Sequence, residues 1–172
     1  PPRFTQVSSA KEALSELKQN HYELVICMPN MDNSDTFELA KQMKQHDARI
    51  PIVLLTPFSK SVTQALRKED LSGIDYVFSW LGNADLLLAI IKLIEDRMNV
   101  EHDVKTVGVQ TIMMVEDSVR FYSSALPLLY KSVLSESKEF SKEALNDHLR
   151  MLRMRGRPKI LLARDYEEAI AY

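Results

Sequence analysis

Short β-rich runs that alternate with helical patterns constrain the fold of this chain more than any other feature. The runs are RFTQV (3–7), ELVIC (23–27), IPIVLLT (50–56) and IDYVFSW (74–80). Strands that are apolar on both faces and alternate with helices are typical of a parallel sheet covered on both sides. Right-handed crossovers then predict a doubly wound α/β domain with three αβα layers.

A polar stretch closes this first domain. Residues 99–110 (NVEHDVKTVGVQ) lack helical periodicity, so we expect a linker there and a first domain at residues 1–98.

A second, incomplete copy of the pattern follows. It comprises a strand TIMMV (111–115), a long helical region from about Ser118 to Leu152 and a strand KILLA (159–163). In the segments SSAKEAL and ARDYEEAI, a polar turn follows a strand and leads to the dipeptide Glu-Ala. This shared pattern is a weak internal repeat. Residues 111–172 are therefore predicted to begin a second unit of the same kind.

Composition excludes several classes of function. Lys plus Arg (22) nearly balances Asp plus Glu (24), so no global field points to nucleic acid or an anionic membrane. The longest apolar run, LLLAII (86–91), is far shorter than the roughly 20 residues that span a bilayer. The single Cys27 fits a reducing compartment, and we expect a cytoplasmic chain. Because it opens with Pro1-Pro2, we interpret it as an excised piece of a larger protein.

Two adjacent carboxylates, Glu116 and Asp117, follow TIMMV directly. Paired acids at the tip of a buried strand are costly unless a cation lies between them. The pair is therefore a candidate cation site. The alternative is that the acids cap the following helix, where negative charge is favourable.

The strand order and the VEDS motif (115–118) resemble the receiver domain of two-component response regulators, a flavodoxin-like fold with five strands. In that family two acids after the first strand hold Mg²⁺. A phosphoacceptor Asp ends the third strand, a Thr or Ser ends the fourth, and a Lys-Pro pair follows the fifth. The metal neutralises the phosphoryl group as it arrives at the acceptor carboxylate.

The resemblance implies that the first unit is degenerate. Its own first strand is absent, Thr56 matches the fourth-strand hydroxyl, and Ser79 occupies the Lys position, followed by Trp80 rather than Pro. The acceptor position falls on Met28 if the FEL motif anchors the alignment, or on Val25 if the MPNMDN loop does. Neither residue can be phosphorylated.

Other acids do not fill the acceptor role. Asp32 and Asp35 lie in a turn, where Asp is common because of its local hydrogen bonds. The second unit has its acid pair, but its acceptor Asp would lie beyond Tyr172.

Residues 115–130 and 149–163 are also similar to a paired receiver-like region of some bacterial phosphoenolpyruvate synthase-like proteins. This implies a parent that is an ATP-dependent phosphotransferase, but none of its catalytic machinery is visible in these 172 residues.

The vacant first-strand position suggests two architectures. TIMMV could enter it within one chain, giving a circularly permuted receiver, or two chains could exchange the segment. RFTQV and KILLA would then contend for one edge of the sheet. Glu116 and Asp117 would lie beside Met28 and Thr56, in a pocket that binds Mg²⁺ weakly and needs no other cofactor.

Two further segments have competing interpretations. The long helix is predicted to outgrow the sheet, and its apolar stripe either packs internally or forms a homodimer: Leu126, Leu129, Tyr130, Val133 and Leu134. RGRPK (155–159) matches the core of the AT-hook, an arm that lays Arg in the minor groove. The alternative is a helix C-terminus stopped by Gly156 and Pro158.

These observations predict a non-catalytic, phosphorylation-incompetent receiver-like module of a larger bacterial protein. We expect its partners to be neighbouring domains or a second copy, with no membrane contact. One alternative is a fragment of a true phosphoacceptor regulator. The other, less favoured, is an arm that contacts A·T-rich DNA.

Overall fold

The chain forms two compact units, residues 1–80 and 81–172. The computed structural model describes residues 3–29, 35–57, 66, 68–142 and 156–172. The predicted division at residues 98 and 110 stays a prediction.

In its described residues, unit 1 is a parallel sheet with two helices on one face. Its elements are α1 (Ala10–Gln19), β1 (Val25–Cys27), α2 (Asp35–His46), β2 (Ile52–Pro57) and β3 (Tyr76–Trp80). The strand order is β1-β2-β3, and both pairs are parallel. This confirms the α/β class and the parallel sheet expected of a receiver-like fold.

The core of unit 1 lies between β2 and both helices. Ile52 and Leu54 of β2 share an apolar cluster with Ala13 of α1 and with Ala40 and Met43 of α2. β2 is buried from its first residue to the fifth, on both faces. Burial on both faces explains why its sequence is continuously apolar rather than alternating.

The predicted strand RFTQV is wrong, because residues 3–7 have no regular structure. In the receiver resemblance RFTQV corresponds to the family's second strand, which pairs only with the family's first strand. That first strand would lie beside β1, but among the described residues β1 pairs with β2 and with no other strand. A strand without a partner has no ladder of hydrogen bonds to hold it.

Unit 2 is a two-stranded parallel sheet packed against long helices. Its elements are α3 (Asp85–Val107), β4 (Thr111–Val115), α4 (Val119–Lys142), β5 (Lys159–Ala163) and α5 (Tyr166–Ala171). β4 pairs with β5 from Thr111↔Lys159 to Val115↔Ala163. α3 packs on α4 and on β5, and β5 is buried along its whole length.

Residues 99–107 were expected to lack helical structure, and this is wrong, because they continue α3 to Val107. Gly108 caps the helix with φ +70°, and its N–H donates to the Val104 carbonyl. Val100, Val104 and Val107 recur at helical spacing and could have indicated this helix. An inward position between them carries Asp103, which pairs with Lys159.

The predicted insertion of TIMMV beside ELVIC is also wrong. β4 pairs with β5, in a sheet separate from that of β1. KILLA, and not RFTQV, is therefore the neighbour of TIMMV. Strand exchange between two chains stays a prediction, which the oligomeric state in solution would test.

The extended helix is present as α4, which runs for 24 residues to Lys142; its predicted continuation lies outside the described residues. Leu126, Tyr130 and Val133 of the predicted stripe are buried, which supports internal packing. Within the part of the chain that is described, no helix combines the length and apolarity needed to cross a membrane.

Candidate functional site

Thr56 and Ser79 meet at the C-terminal edge of the unit 1 sheet. They are register partners on β2 and β3, and both are buried. The Thr56 hydroxyl donates to the Phe78 carbonyl oxygen at 3.3 Å. The two residues predicted to line a receiver-like pocket are thus neighbours, and one hydroxyl is already engaged by the backbone.

Met28 and Val25 occupy opposite ends of β1. Val25 is the first residue of the strand, and Met28 follows its last residue, Cys27. Met28 is 70 % exposed. A phosphoacceptor in this family follows its strand, so the location favours Met28 as the equivalent position. Its thioether is not a phosphoacceptor.

The sequence places two further acids, Asp32 and Asp35, after β1. Asp32 lies outside the described residues. Asp35 is the first residue of α2, and its side chain is likewise outside them.

The donor groups at this edge do not fit Mg²⁺. Met28 offers a soft thioether, whereas Thr56 and Ser79 offer hydroxyls. Mg²⁺ in proteins is held through one or two carboxylates, often with substrate phosphates. None of the three residues supplies a carboxylate or the positive charge of the family's lysine. We therefore derive no metal chemistry at this edge.

Glu116 and Asp117 lie at the equivalent edge of unit 2. The Glu116 N–H donates to the Ala163 carbonyl at 2.9 Å, one step past the end of β4. The Glu116 Oε1 accepts from the Ser118 N–H at 3.0 Å, and the Ser118 Oγ accepts from the Phe121 N–H at 3.3 Å. This chain of bonds starts α4, so the geometry supports the capping interpretation.

The acid pair nevertheless offers ligands of the kind that Mg²⁺ prefers. Asp117 is exposed, and Glu116 is only partly buried. The predicted pocket that joins these acids to Thr56 would involve both units, and it stays a prediction. Across the described ranges, no three His, Cys, Asp or Glu side chains form a metal-binding group.

The basic RGRPK motif is an internal ion-pairing segment, so the hypothesis of a DNA-contacting arm is wrong for its described residues. Arg157 is 7 % exposed and Lys159 is 6 % exposed. Arg157 pairs with Asp96 at 2.6 Å, and Lys159 pairs with Asp103 at 2.7 Å. An Arg side chain must be free to enter the minor groove; Arg157 is not. Arg155 lies outside the described residues.

Sequence reasoning missed Asp96 as the partner of this motif. The signal was available, since the buried positions of α3 run through Leu86, Ile90 and Leu93 to Asp96 at helical spacing. An acid at an inward position of an apolar helix requires a buried cation nearby.

Cys27 is a core residue without reactive character. Burial raises the pKa of its thiol to about 11, so the protonated form prevails near neutral pH.

The match to known families covers the unit with the three-stranded sheet. Residues 3–91, or 89 of 172, match the response regulator receiver domain. Neither a curated protein nor a solved structure matches the chain. The matched segment contains β1, β2 and β3 in the parallel order that the structure shows, and it ends within α3. The chain belongs to the response regulator receiver family.

Proposed function

We propose that this chain is a phosphorylation-incompetent receiver, a regulatory module that works through its contacts. Membership of the receiver family supports a signalling or regulatory role. The observation that carries the finer proposal is Met28, an exposed thioether directly after β1 where the family places its acceptor carboxylate.

The neighbouring groups support the same conclusion. A phosphoryl group on an acceptor needs cations to neutralise its charge. Ser79 replaces the family's lysine with a short neutral side chain, and the Thr56 hydroxyl donates to a backbone carbonyl. Among the described residues, this edge of unit 1 therefore offers neither an acceptor carboxylate nor the family's lysine.

Intact mass spectrometry after incubation with Mg²⁺ and acetyl phosphate tests the proposal. We expect the mass to stay unchanged, because the acceptor position cannot form an acyl phosphate. A stoichiometric, hydroxylamine-labile adduct would contradict the proposal. Asp32→Asn and Asp35→Asn variants would then show which of the two turn acids carries it.

A second candidate function is favoured by the acid pair of unit 2. Here Glu116 and Asp117 would hold Mg²⁺ for a true receiver whose acceptor Asp lies outside these 172 residues. The resemblance to phosphoenolpyruvate synthase-like proteins adds a parent enzyme whose neighbouring domains are the partners of this module.

Nuclear magnetic resonance spectroscopy during a Mg²⁺ titration tests this second candidate function. The Ser118 amide donates to Glu116 Oε1, so a metal that binds Glu116 should shift that amide resonance. We expect a weak, saturable shift, lost in Asp117→Asn, since two carboxylates bind Mg²⁺ better than one. An equal response in Asp117→Asn would show that Asp117 is not a ligand, and no response in the native chain would show that the acids only cap α4.

A further inference from the structure

Asp96, in the second half of α3, is a fully buried carboxylate with four hydrogen-bond donors around it. Arg157 donates from Nη2 to Oδ1 at 2.6 Å and from Nη1 to Oδ2 at 2.9 Å. The Tyr130 hydroxyl donates to Oδ2 at 3.0 Å, and the Ile160 N–H donates to the same oxygen at 2.9 Å. One side chain of α3 is therefore bonded to α4, to β5 and to the residue that precedes Pro158.

Asp103 extends this cluster along the same face of α3. Asp103 is seven positions after Asp96, about two helical turns, so both side chains lie on one side of the helix. Lys159 Nζ lies 2.7 Å from Asp103 Oδ2 and 3.9 Å from Asp96 Oδ1. Two carboxylates thus meet two cations, Arg157 and Lys159, and the buried charges balance.

The protonation states follow from these contacts. Burial acts to lower the pKa of Arg157, but the hydrogen bond and charge of Asp96 outweigh it and raise the pKa. Burial and the charge of Asp96 raise the pKa of Tyr130, so its hydroxyl remains a donor. The Arg157 guanidinium also lies over the Tyr130 ring, 5.8 Å from its centroid.

Such a cluster determines the register of a helix more strictly than apolar packing does. Leu93 and Ile94 of α3 are buried, but apolar side chains of similar size can repack when a helix slides. A slide of one turn, about 5.4 Å, would leave Asp96 and Arg157 buried without partners. In the described residues no buried side-chain polar atom lacks a hydrogen bond. The observed register of α3 preserves this for Asp96 and Arg157, and a shifted one would not.

We propose that Asp96, Asp103, Tyr130, Arg157 and Lys159 form an α3 lock, which fixes residues 92–107 of α3 against α4 and β5 in one register. The receiver match ends at residue 91, so the lock holds the part of α3 that lies beyond the match. A regulatory movement of α3 would then carry α4 and β5 with it, because the lock joins all three elements. Only this regulatory consequence rests on the proposed function; the lock itself does not require it.

Hydrogen exchange of the full chain, read by mass spectrometry, tests the lock. In the native chain, peptides that cover residues 99–107 should exchange as slowly as those of β5. Asp103→Asn should speed their exchange by about tenfold or more and leave α1 and α2 unchanged. Glu101→Gln is the matched control, because it removes the same charge from the same helix but from an exposed pair with Lys105.

Lys159→Met approaches the lock from β5 and keeps the apolar stem of the side chain. It should speed exchange in the same peptides. The proposal fails if native residues 99–107 exchange as fast as an unstructured tether, or if both lock variants match the native chain. It also fails if every peptide accelerates together, since the pair would then only stabilise the fold. These readouts do not depend on the phosphodonor experiment, so either idea can fail without the other.

Discussion

Asp96→Asn should lower the free energy of unfolding by about 3–5 kcal/mol, the cost of removing one partner from a buried ion pair. Asparagine keeps the shape of the side chain but not its charge. Arg157 would then remain buried with no anion against its guanidinium, since Asp103 pairs with Lys159. Urea unfolding followed by circular dichroism would measure the loss.

Glu101→Gln is the control for charge on the same helix. Glu101 and Lys105 form an exposed pair one turn apart, and such pairs contribute little. We expect no resolvable change in the urea midpoint. Joint replacement by apolar residues, Asp96→Leu with Arg157→Met, leaves no charge unpaired, so its cost should come from the Tyr130 hydroxyl and the Ile160 N–H, which lose their acceptor. Equal losses in Asp96→Asn and Glu101→Gln would show that Asp96 is not held as described.

The strands of the receiver sheet could be predicted because their own residues determine them. β2 is buried on both faces, and its continuous apolar sequence indicates this burial directly. RFTQV also contains residues that favour strands, Phe4, Thr5 and Val7, but it forms no strand, because a strand also needs a partner edge. That partner is a property of the whole sheet and cannot be read from the segment.

The candidate site, too, could be predicted only in part. That Thr56 and Ser79 lie side by side could be predicted from the sequence, since the ends of neighbouring parallel strands meet at one edge of a sheet. The bond between Asp96 and Arg157 could not, because the two residues are 61 positions apart in sequence. A basic motif and a lone acid in an apolar helix were each visible, but only the fold joins them.

Gly73→Ala should destabilise unit 1 by about 1–3 kcal/mol or more, the usual cost of overpacking a close contact. A Cβ on Gly73 would lie 2.8 Å from the Lys41 nitrogen and 2.9 Å from the Ala40 carbonyl carbon. Both atoms belong to the backbone of α2, which cannot rotate away as a side chain would. α2 would have to move off the core that it shares with Cys27.

The buried thiol of Cys27 provides the measurement for Gly73→Ala. It is the only cysteine of the chain, and burial raises its pKa to about 11. Alkylation near neutral pH therefore reports transient opening of unit 1, and its rate should rise about tenfold or more. Gly82→Ala is the control, since Gly82 has φ +79° and no atom within 4 Å of an added Cβ. Its cost is backbone strain of about 1 kcal/mol in an exposed loop. If Gly82→Ala accelerated alkylation more than Gly73→Ala, the close approach of Gly73 to α2 could not be what holds this core closed.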